Sequence, residues 1–200
     1  MMTMLVGVLN ILRELKVEKV IIGQQGDVCE QYDEFCKIAS EKQIPVVVVK
    51  KGDIINIEKD LKIRILFPER KFIAENMINN NSLVAKLEYK DLKVLFTGDI
   101  EEEAEKRLVE MYCSNELEAN ILKVPHHGSK SSSTLKFLEN VKPSIALIGV
   151  GKNNKFKHPS EEVVERLQLL GIQIYRTDEM GEITIKSDGK NIKEAIAYML

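Results

Sequence analysis

Hydrophobic positions along the chain switch repeatedly between the spacing of amphipathic helices and that of strands. A first helix is predicted where five apolar residues share one face, at Leu5, Val8, Leu9, Leu12 and Leu15. Short apolar runs at residues 20–23 and 46–49 predict two buried strands, and a second amphipathic helix lies between them around residues 32–39. The amino-terminal quarter therefore predicts an alternation of helix and strand.

From residue 54 to residue 89 apolar and polar positions alternate, which is typical of half-exposed antiparallel strands. A polar pair, Lys90-Asp91, then joins two such strands as a hairpin. Beyond it, three apolar runs at residues 94–96, 121–124 and 145–148 each lead into a polar loop and then a helix. We expect one mixed α/β domain over residues 1–200, layered helix–sheet–sheet–helix.

Charge and cysteine content exclude several classes of protein. The 200 residues include 29 Lys+Arg and 31 Asp+Glu, so the net charge of −2 gives no global attraction to polyanions. Three cysteines, Cys29, Cys36 and Cys113, form no CxxC pair, so reduced thiols are expected rather than a disulfide framework. No apolar run approaches the ~18–20 residues that cross a bilayer, so we expect a soluble chain, cytoplasmic by default.

The candidate chemistry lies in the loops that follow the three apolar runs. Asp99 follows the first run, the pair His126-His127 follows the second, and His158 follows the third, which accounts for all three histidines of the chain. Because ligands gather at the carboxyl ends of parallel strands, these side chains are expected to converge. One carboxylate with imidazoles suits Zn²⁺ or Mn²⁺. Taken singly, each residue also fits an ordinary turn, cap or loop position.

The loop after His126-His127 continues as Gly128-Ser129-Lys130-Ser131 and leads into a helix predicted from about Ser132. Hydroxyl groups and a lysine beside a helix amino terminus suit a phosphate group. A solvated loop with a capping serine explains the same residues equally well. Ser160 is the predicted amino-terminal cap of the helix that follows His158-Pro159.

Three motifs carry a resemblance: Thr97-Gly98-Asp99, then the segment from Leu122 to Ser129, then His158-Pro159. Together they resemble the metallo-β-lactamase-fold domain of the ComEC family of DNA-internalisation competence proteins, and stand-alone metallohydrolases with the same motifs are similar. The resemblance runs from about Gly7 to the end of the chain. It implies an αββα sandwich, two divalent metal ions and hydrolysis of a phosphodiester, with nucleic acid as the expected substrate.

The resemblance also implies roles for single residues. Asp99 would bridge the two metal ions, one histidine of the pair (His127 in preference to His126) would ligate one ion, and His158 would ligate the other. The segment Asn79-Asn80-Asn81-Ser82 falls where the wider superfamily places another histidine. It is expected to line the site, with Asn81 and Ser82 contacting substrate beside Ser129, Lys130 and Ser131.

The amino end departs from the family pattern. The family motif His-x-His-x-Asp-His precedes a helix start that Val6-Gly7-Val8-Leu9 matches, so its last Asp and His fall at Thr3 and Met4. Four expected ligands are therefore missing, and hydroxyl and thioether groups do not replace them. We expect a domain incomplete at its amino end. The explanations are a fragment of a longer protein, a degenerate homologue, or a partner chain that completes the site.

Two other functions remain open from the sequence. The first is a non-catalytic domain that binds DNA or a competence partner, and the second is a hydrolase of small esters or lactones, because fold does not fix substrate. In a complete ComEC-like protein a membrane channel domain would accompany this one, which would place it at the membrane or outside the cell. The isolated chain is expected to bind metal weakly and to have little activity.

Overall fold

The computed structural model describes residues 2–24 and 30–198, and it divides into two compact units, Met1–Lys50 and Lys51–Leu200. The first unit contains α1 (Met2–Glu14), β1 (Val20–Gly23), α2 (Glu30–Glu41) and β2 (Val46–Val49). Strands β1 and β2 pair in parallel. The core of this unit lies between the two helices and is formed by Leu9, Leu12, Phe35, Ile38, Ala39 and Ile44.

The prediction of a buried strand at residues 46–49 is wrong in its burial. Val46, Val47 and Val48 are exposed and only Val49 is buried. Within the described residues β2 pairs only with β1, and three of its four side chains are exposed, so it is not covered on both faces as a central parallel strand is. Cys29 lies outside the described residues, whereas Cys36 and Cys113 are free and exposed.

The second unit is built on a seven-stranded mixed sheet in the order β3-β4-β5-β6-β7-β8-β9. Its strands are β3 (Ile54–Glu58), β4 (Leu61–Phe67), β5 (Val84–Tyr89), β6 (Leu92–Phe96), β7 (Ile121–Lys123), β8 (Ile145–Ile148) and β9 (Gln173–Arg176). The strands from β3 to β6 are antiparallel, and those from β6 to β9 are parallel. The predicted hairpin at Lys90-Asp91 joins β5 to β6, as expected.

Helices cover one face of this sheet. The helices of the unit are α3 (Met77–Asn80), α4 (Glu102–Met111), α5 (Ser114–Leu117), α6 (Leu135–Val141), α7 (Glu161–Leu169) and α8 (Thr177–Met180). Leu108, Phe137 and Leu167 from three of them pack on Leu95 and Leu122 of the sheet in one continuous core. Burial of this apolar surface holds the strand ends, and hence the loops that follow them, in place.

Two further strands, β10 (Glu182–Ser187) and β11 (Ile192–Tyr198), form an antiparallel pair. The turn between them touches the β5–β6 hairpin, where the carbonyl oxygen of Gly189 accepts hydrogen bonds from the amides of Asp91 and Leu92. The predicted mixed α/β class is confirmed. No helix within the described ranges is both long and apolar enough to cross a bilayer.

Candidate metal centre

The three loops that carry the candidate residues lie side by side, because they follow β6, β7 and β8, which are neighbours in the sheet. Backbone hydrogen bonds tie each loop to the next. The amide of His126 donates to the carbonyl of Gly98 (3.1 Å), and the amide of Ser160 donates to the carbonyl of Gly128 (2.9 Å). The structure therefore brings Asp99, the histidine pair and His158 to one edge of the sheet, where the sequence predicted them.

The histidine pair lies on a backbone of unusual conformation. His126, His127 and Gly128 have successive positive φ angles of 46°, 55° and 81°. A side chain in this region costs energy, and such residues cluster at functional sites. At Gly128 a Cβ atom would lie 2.6 Å from Cβ of Pro159, so only glycine lets this loop contact the His158-Pro159 loop.

His127 presents a bare nitrogen to a carboxylate. Its Nδ1 lies 2.5 Å from the carbonyl oxygen of Gly149, and because a carbonyl only accepts, Nδ1 carries the proton. In the neutral ring Nε2 then has a free lone pair, and it faces Asp99 Oδ1 at 3.8 Å. Two electron-rich atoms at this distance repel each other unless a cation, either a proton or a metal ion, lies between them. A carbonyl that fixes the far ring nitrogen is typical of ligating histidines.

His158 completes the group from the third loop. Its ring packs edge-on against His126 at 5.7 Å between ring centroids and stacks on Phe156 at 5.8 Å. Asn154 holds the backbone of this residue, accepting from its amide (3.0 Å) and donating to its carbonyl (2.7 Å). Burial lowers the pKa of His158 below its usual value, with a further lowering by His126 and His127 that Asp99 opposes.

Glu101 is a site residue that the sequence analysis did not single out. Its side chain is 10% exposed, and its Oε1 lies 3.1 Å from Nδ1 of His126. Two amides, those of Asn76 and Asn79, donate to the same carboxylate at 2.6 and 3.2 Å. His126 thus faces Glu101, while His127 faces Asp99. The sequence does not reveal that these two adjacent histidines have different carboxylate partners.

Lys123 is a second missed residue. It lies at the end of β7, and its Nζ donates to the carbonyl of Val124 (3.0 Å). Burial lowers the pKa of this ammonium group, whereas the Asp99 carboxylate raises it. The signal available in the sequence was a single lysine inside the otherwise apolar run 121–124.

The residues predicted to contact substrate are placed differently from one another. The Asn81 amide is used within its own loop, since it bonds the amide and carbonyl of Ile73 and the carbonyl of Met77. Ser82 lies beside the site, where its Oγ accepts from the amide of Asp99 (3.2 Å). Lys130 is exposed, and Ser129 Oγ contacts Ser131 Oγ at 3.0 Å. Substrate contact by these residues stays a prediction.

The loop of residues 129–134, which we call the serine loop, is held in place by side chains from two helices. Glu105 on α4 is fully buried, and its carboxylate accepts from the amides of Ser133 and Thr134, the latter at 2.8 Å. Burial raises the pKa of this carboxyl to about 7, against the lowering by these hydrogen bonds and by Arg166. Arg166 on α7 donates to the carbonyls of Ser132 and Ser133. The helix predicted from Ser132 begins later, with Thr134 as its cap, whereas Ser160 caps α7 as predicted.

The donor set fits part of a metal site. One carboxylate oxygen and one bare imidazole nitrogen face each other, and a second imidazole lies in the adjoining loop, which is the chemistry that Zn²⁺ and Mn²⁺ accept. Within residues 2–24 and 30–198, no three His, Cys, Asp or Glu side chains are grouped so that they could hold a metal ion together. Asp99 and His127 therefore offer two facing donor atoms for one cation, and the described residues do not supply a complete two-ion set.

Comparison with known proteins agrees with the motifs. No protein-family model matches the chain. ComE operon protein 3 of Bacillus subtilis is 37% identical over 174 residues, covering 86% of this chain and 22% of that protein. Competence protein ComA of Neisseria gonorrhoeae is 37% identical over 115 residues, covering 58% of this chain and 16% of that protein. The chain thus spans less than a quarter of either relative.

Among solved structures, a protein described as a metal-dependent hydrolase from Parabacteroides distasonis superposes with a TM-score of 0.50. The two are 14% identical, and the match covers 82% of this chain and 77% of that one, so the likeness concerns the fold. The chain therefore shares the mixed α/β fold of that protein. By sequence, it is a ComEC-like domain, similar to a segment of the competence proteins.

Proposed function

We propose that the chain carries the metal-dependent site of a ComEC-like hydrolase that cleaves phosphodiester bonds in nucleic acid during DNA uptake. The observation that carries this proposal is the bare Nε2 of His127 facing Asp99 Oδ1 at 3.8 Å. An interaction between two acceptors needs a cation, and the adjoining His158 offers a further nitrogen. The competence proteins to which the chain is similar support the link to DNA.

We assign one divalent cation, Zn²⁺ or Mn²⁺, to Asp99, His127 and His158. Of the pair, His127 is assigned as the ligand, because its Nε2 is the ring nitrogen that faces the Asp99 carboxylate. When bound, the cation supplies Lewis-acid charge toward the phosphoryl oxygens of the substrate. Asp99 would be the residue shared with a second cation in a homologue that has the complete ligand set.

The chain's other residues position this group and the phosphate. Ser82 holds the Asp99 turn because its Oγ accepts a hydrogen bond from the Asp99 amide. The carbonyl of Gly149 fixes the ring orientation of His127. Ser129, Lys130 and Ser131 lie on the loop that leaves the histidine pair, where hydroxyl groups and an exposed ammonium group can bind a phosphate oxygen. In a full-length homologue we place this site beside a membrane channel domain.

The open donor set supports a second candidate, a non-catalytic domain that holds DNA without cleaving it. Among the residues that the structure describes, no three His, Cys, Asp or Glu side chains are grouped so that they could hold a metal ion. Weak metal binding and slow turnover by the isolated chain follow from the same observation. The two candidates differ in one measurable property, the metal-dependent cleavage of a nucleic-acid strand.

The test combines calorimetric titration of the chain with Zn²⁺ or Mn²⁺ and incubation with a labelled single strand, a lactone and a phenyl ester. We expect weak binding of a single cation and slow strand cleavage that ends when EDTA is added. Tight binding of two cations would overturn the proposed impairment. Strand binding without metal-dependent cleavage would establish the non-catalytic domain. Cleavage of the ester or lactone alone would overturn the phosphodiester assignment.

A further inference from the structure

A cluster of positive side chains lies on the sheet face that α4 and α5 cover, at the antiparallel end of the sheet. In the strand register, Lys62 of β4 pairs with Glu88 of β5, which pairs in turn with Lys93 of β6. One step along, Arg64 pairs with Lys86. Because alternate residues of a strand share a face, these four cations and one carboxylate lie together. We call this group the basic cluster.

The only carboxylate of the basic cluster is already paired. Glu88 Oε2 lies 3.0 Å from Lys62 Nζ, and its Oε1 lies 3.6 Å from Arg64 Nε. Lys93 Nζ has no carboxylate within ion-pair distance among the described residues. Positive charge therefore exceeds negative charge within this group.

Lys86 is the buried member of the cluster. The residue is 2% exposed, and its ammonium group donates to the carbonyl of Glu116 at 2.6 Å. Burial lowers the pKa of Lys86 to about 8, and the like charges of Lys93 and Arg64 add to the lowering, whereas the carboxylates of Glu88 and Glu118 oppose it. An ammonium group has three N–H donors, and the carbonyl of Glu116 accepts from one of them. Removing this charge from water costs free energy, and a bound anion would offset that cost.

A cavity of about 300 Å³ opens at this point. It is lined from the sheet by Arg64, Lys86, Glu88 and Lys93, and from the helical side by Tyr112, Asn115 and Glu116. Three basic residues therefore line the cavity beside two acidic ones. The Glu116 carboxylate, also at its wall, accepts from the amide of Cys113 at 3.1 Å. The volume is at the lower end of the range for small-molecule sites, which suits a compact anion.

We propose that this cavity is a binding site for a phosphate group, separate from the candidate metal centre. Lys86 and Lys93 supply the charge, Arg64 offers guanidinium donors, and the Asn115 amide offers a neutral donor. The remainder of β6, about 10 Å of strand, and then the Thr97–Asp99 turn separate Lys93 from Asp99. The phosphate is that of a free nucleotide or of a polynucleotide backbone.

The test is calorimetric titration of the whole chain in EDTA, so that the result does not depend on the metal centre. The probes are inorganic phosphate, dAMP and a short single-stranded oligonucleotide at one fixed salt concentration. Lys93→Gln is expected to weaken binding by about tenfold, the effect of losing one charge-assisted hydrogen bond. Lys106→Gln, which removes an exposed lysine on α4, is the matched control and is expected to change nothing.

The arms of the experiment separate the two sources of phosphate. An effect of Lys93→Gln on phosphate and dAMP supports a free nucleotide, and an effect on the oligonucleotide alone supports a polynucleotide backbone. Absence of binding for all three probes would overturn the proposal, and so would equal weakening by Lys106→Gln. Lys86→Met serves as a second variant, and because Lys93 is only half-buried, the Lys93 result stands even if Lys86→Met does not fold.

Discussion

Replacing Glu105 by leucine is expected to lower the free energy of unfolding by about 3 kcal/mol. The substitution places an apolar side chain of similar size in this fully buried position and leaves the amides of Ser133 and Thr134 without their acceptor. Each buried donor left unpaired costs about 1–3 kcal/mol. Urea denaturation followed by circular dichroism measures the loss.

Two further variants sharpen this result. Glu105→Gln retains one acceptor oxygen for the two amides, so its loss is expected to be smaller than that of leucine. Glu102→Gln removes an exposed carboxylate from the first turn of the same helix, and its effect is expected to stay within about 0.5 kcal/mol. Equal stability of Glu105→Leu and the unaltered chain would show that the serine loop does not depend on this anchor.

Replacing Asp99 by asparagine is expected to weaken the binding of Zn²⁺ or Mn²⁺ by roughly 100-fold or more. Mutation of a residue that only orients a metal ligand already lowers metal affinity by about 10–100-fold. The amide removes the negative charge, and its NH₂ group can donate to Nε2 of His127 across the 3.8 Å gap, which occupies the free lone pair. In a full-length homologue the same change is expected to abolish metal-dependent strand cleavage. Calorimetric titration of the variant measures the binding.

Glu102→Gln is also the control for this experiment, because it removes the same charge near the site without touching the Asp99 carboxylate. We expect its metal affinity to stay close to that of the unaltered chain. Unchanged affinity in Asp99→Asn, or an equal loss in both variants, would remove Asp99 from the proposed ligand set.

Much of the site geometry was predictable because it depends on strand order. Asp99, His127 and His158 each follow a short apolar run, and β6, β7 and β8 are parallel neighbours in the sheet. Loops at the carboxyl ends of such strands lie close together whatever the details of the turns. The positions of the loops therefore followed from local pattern alone.

The orientation of side chains within those loops was not predictable in the same way. The left-handed backbone at His126 and His127 sends one imidazole to Glu101 and the other to Asp99. Asn81 is directed into its own loop, and Glu101 faces amides from α3 and from Asn76 just before it, about 25 residues earlier. These contacts depend on long-range packing, which no local periodicity records.

The missed elements have a simpler cause. The helices α3, α5 and α8 have four residues each, too few to complete two helical turns or to show a periodic apolar face. Val46, Val47 and Val48 read as a buried strand because an apolar run does not reveal whether both faces of the strand are covered.

Long-range ¹H–¹⁵N spectra of the three histidines during titration with Zn²⁺ test most directly whether Asp99, His127 and His158 share one cation. Before metal is added, His127 is expected to carry its proton on Nδ1. With Zn²⁺, Nε2 of His127 and one ring nitrogen of His158 are expected to take the shifts of coordinated nitrogen, while His126 changes least. A proton on Nε2 of His127, or three imidazoles unmoved at saturating Zn²⁺, would contradict the assignment.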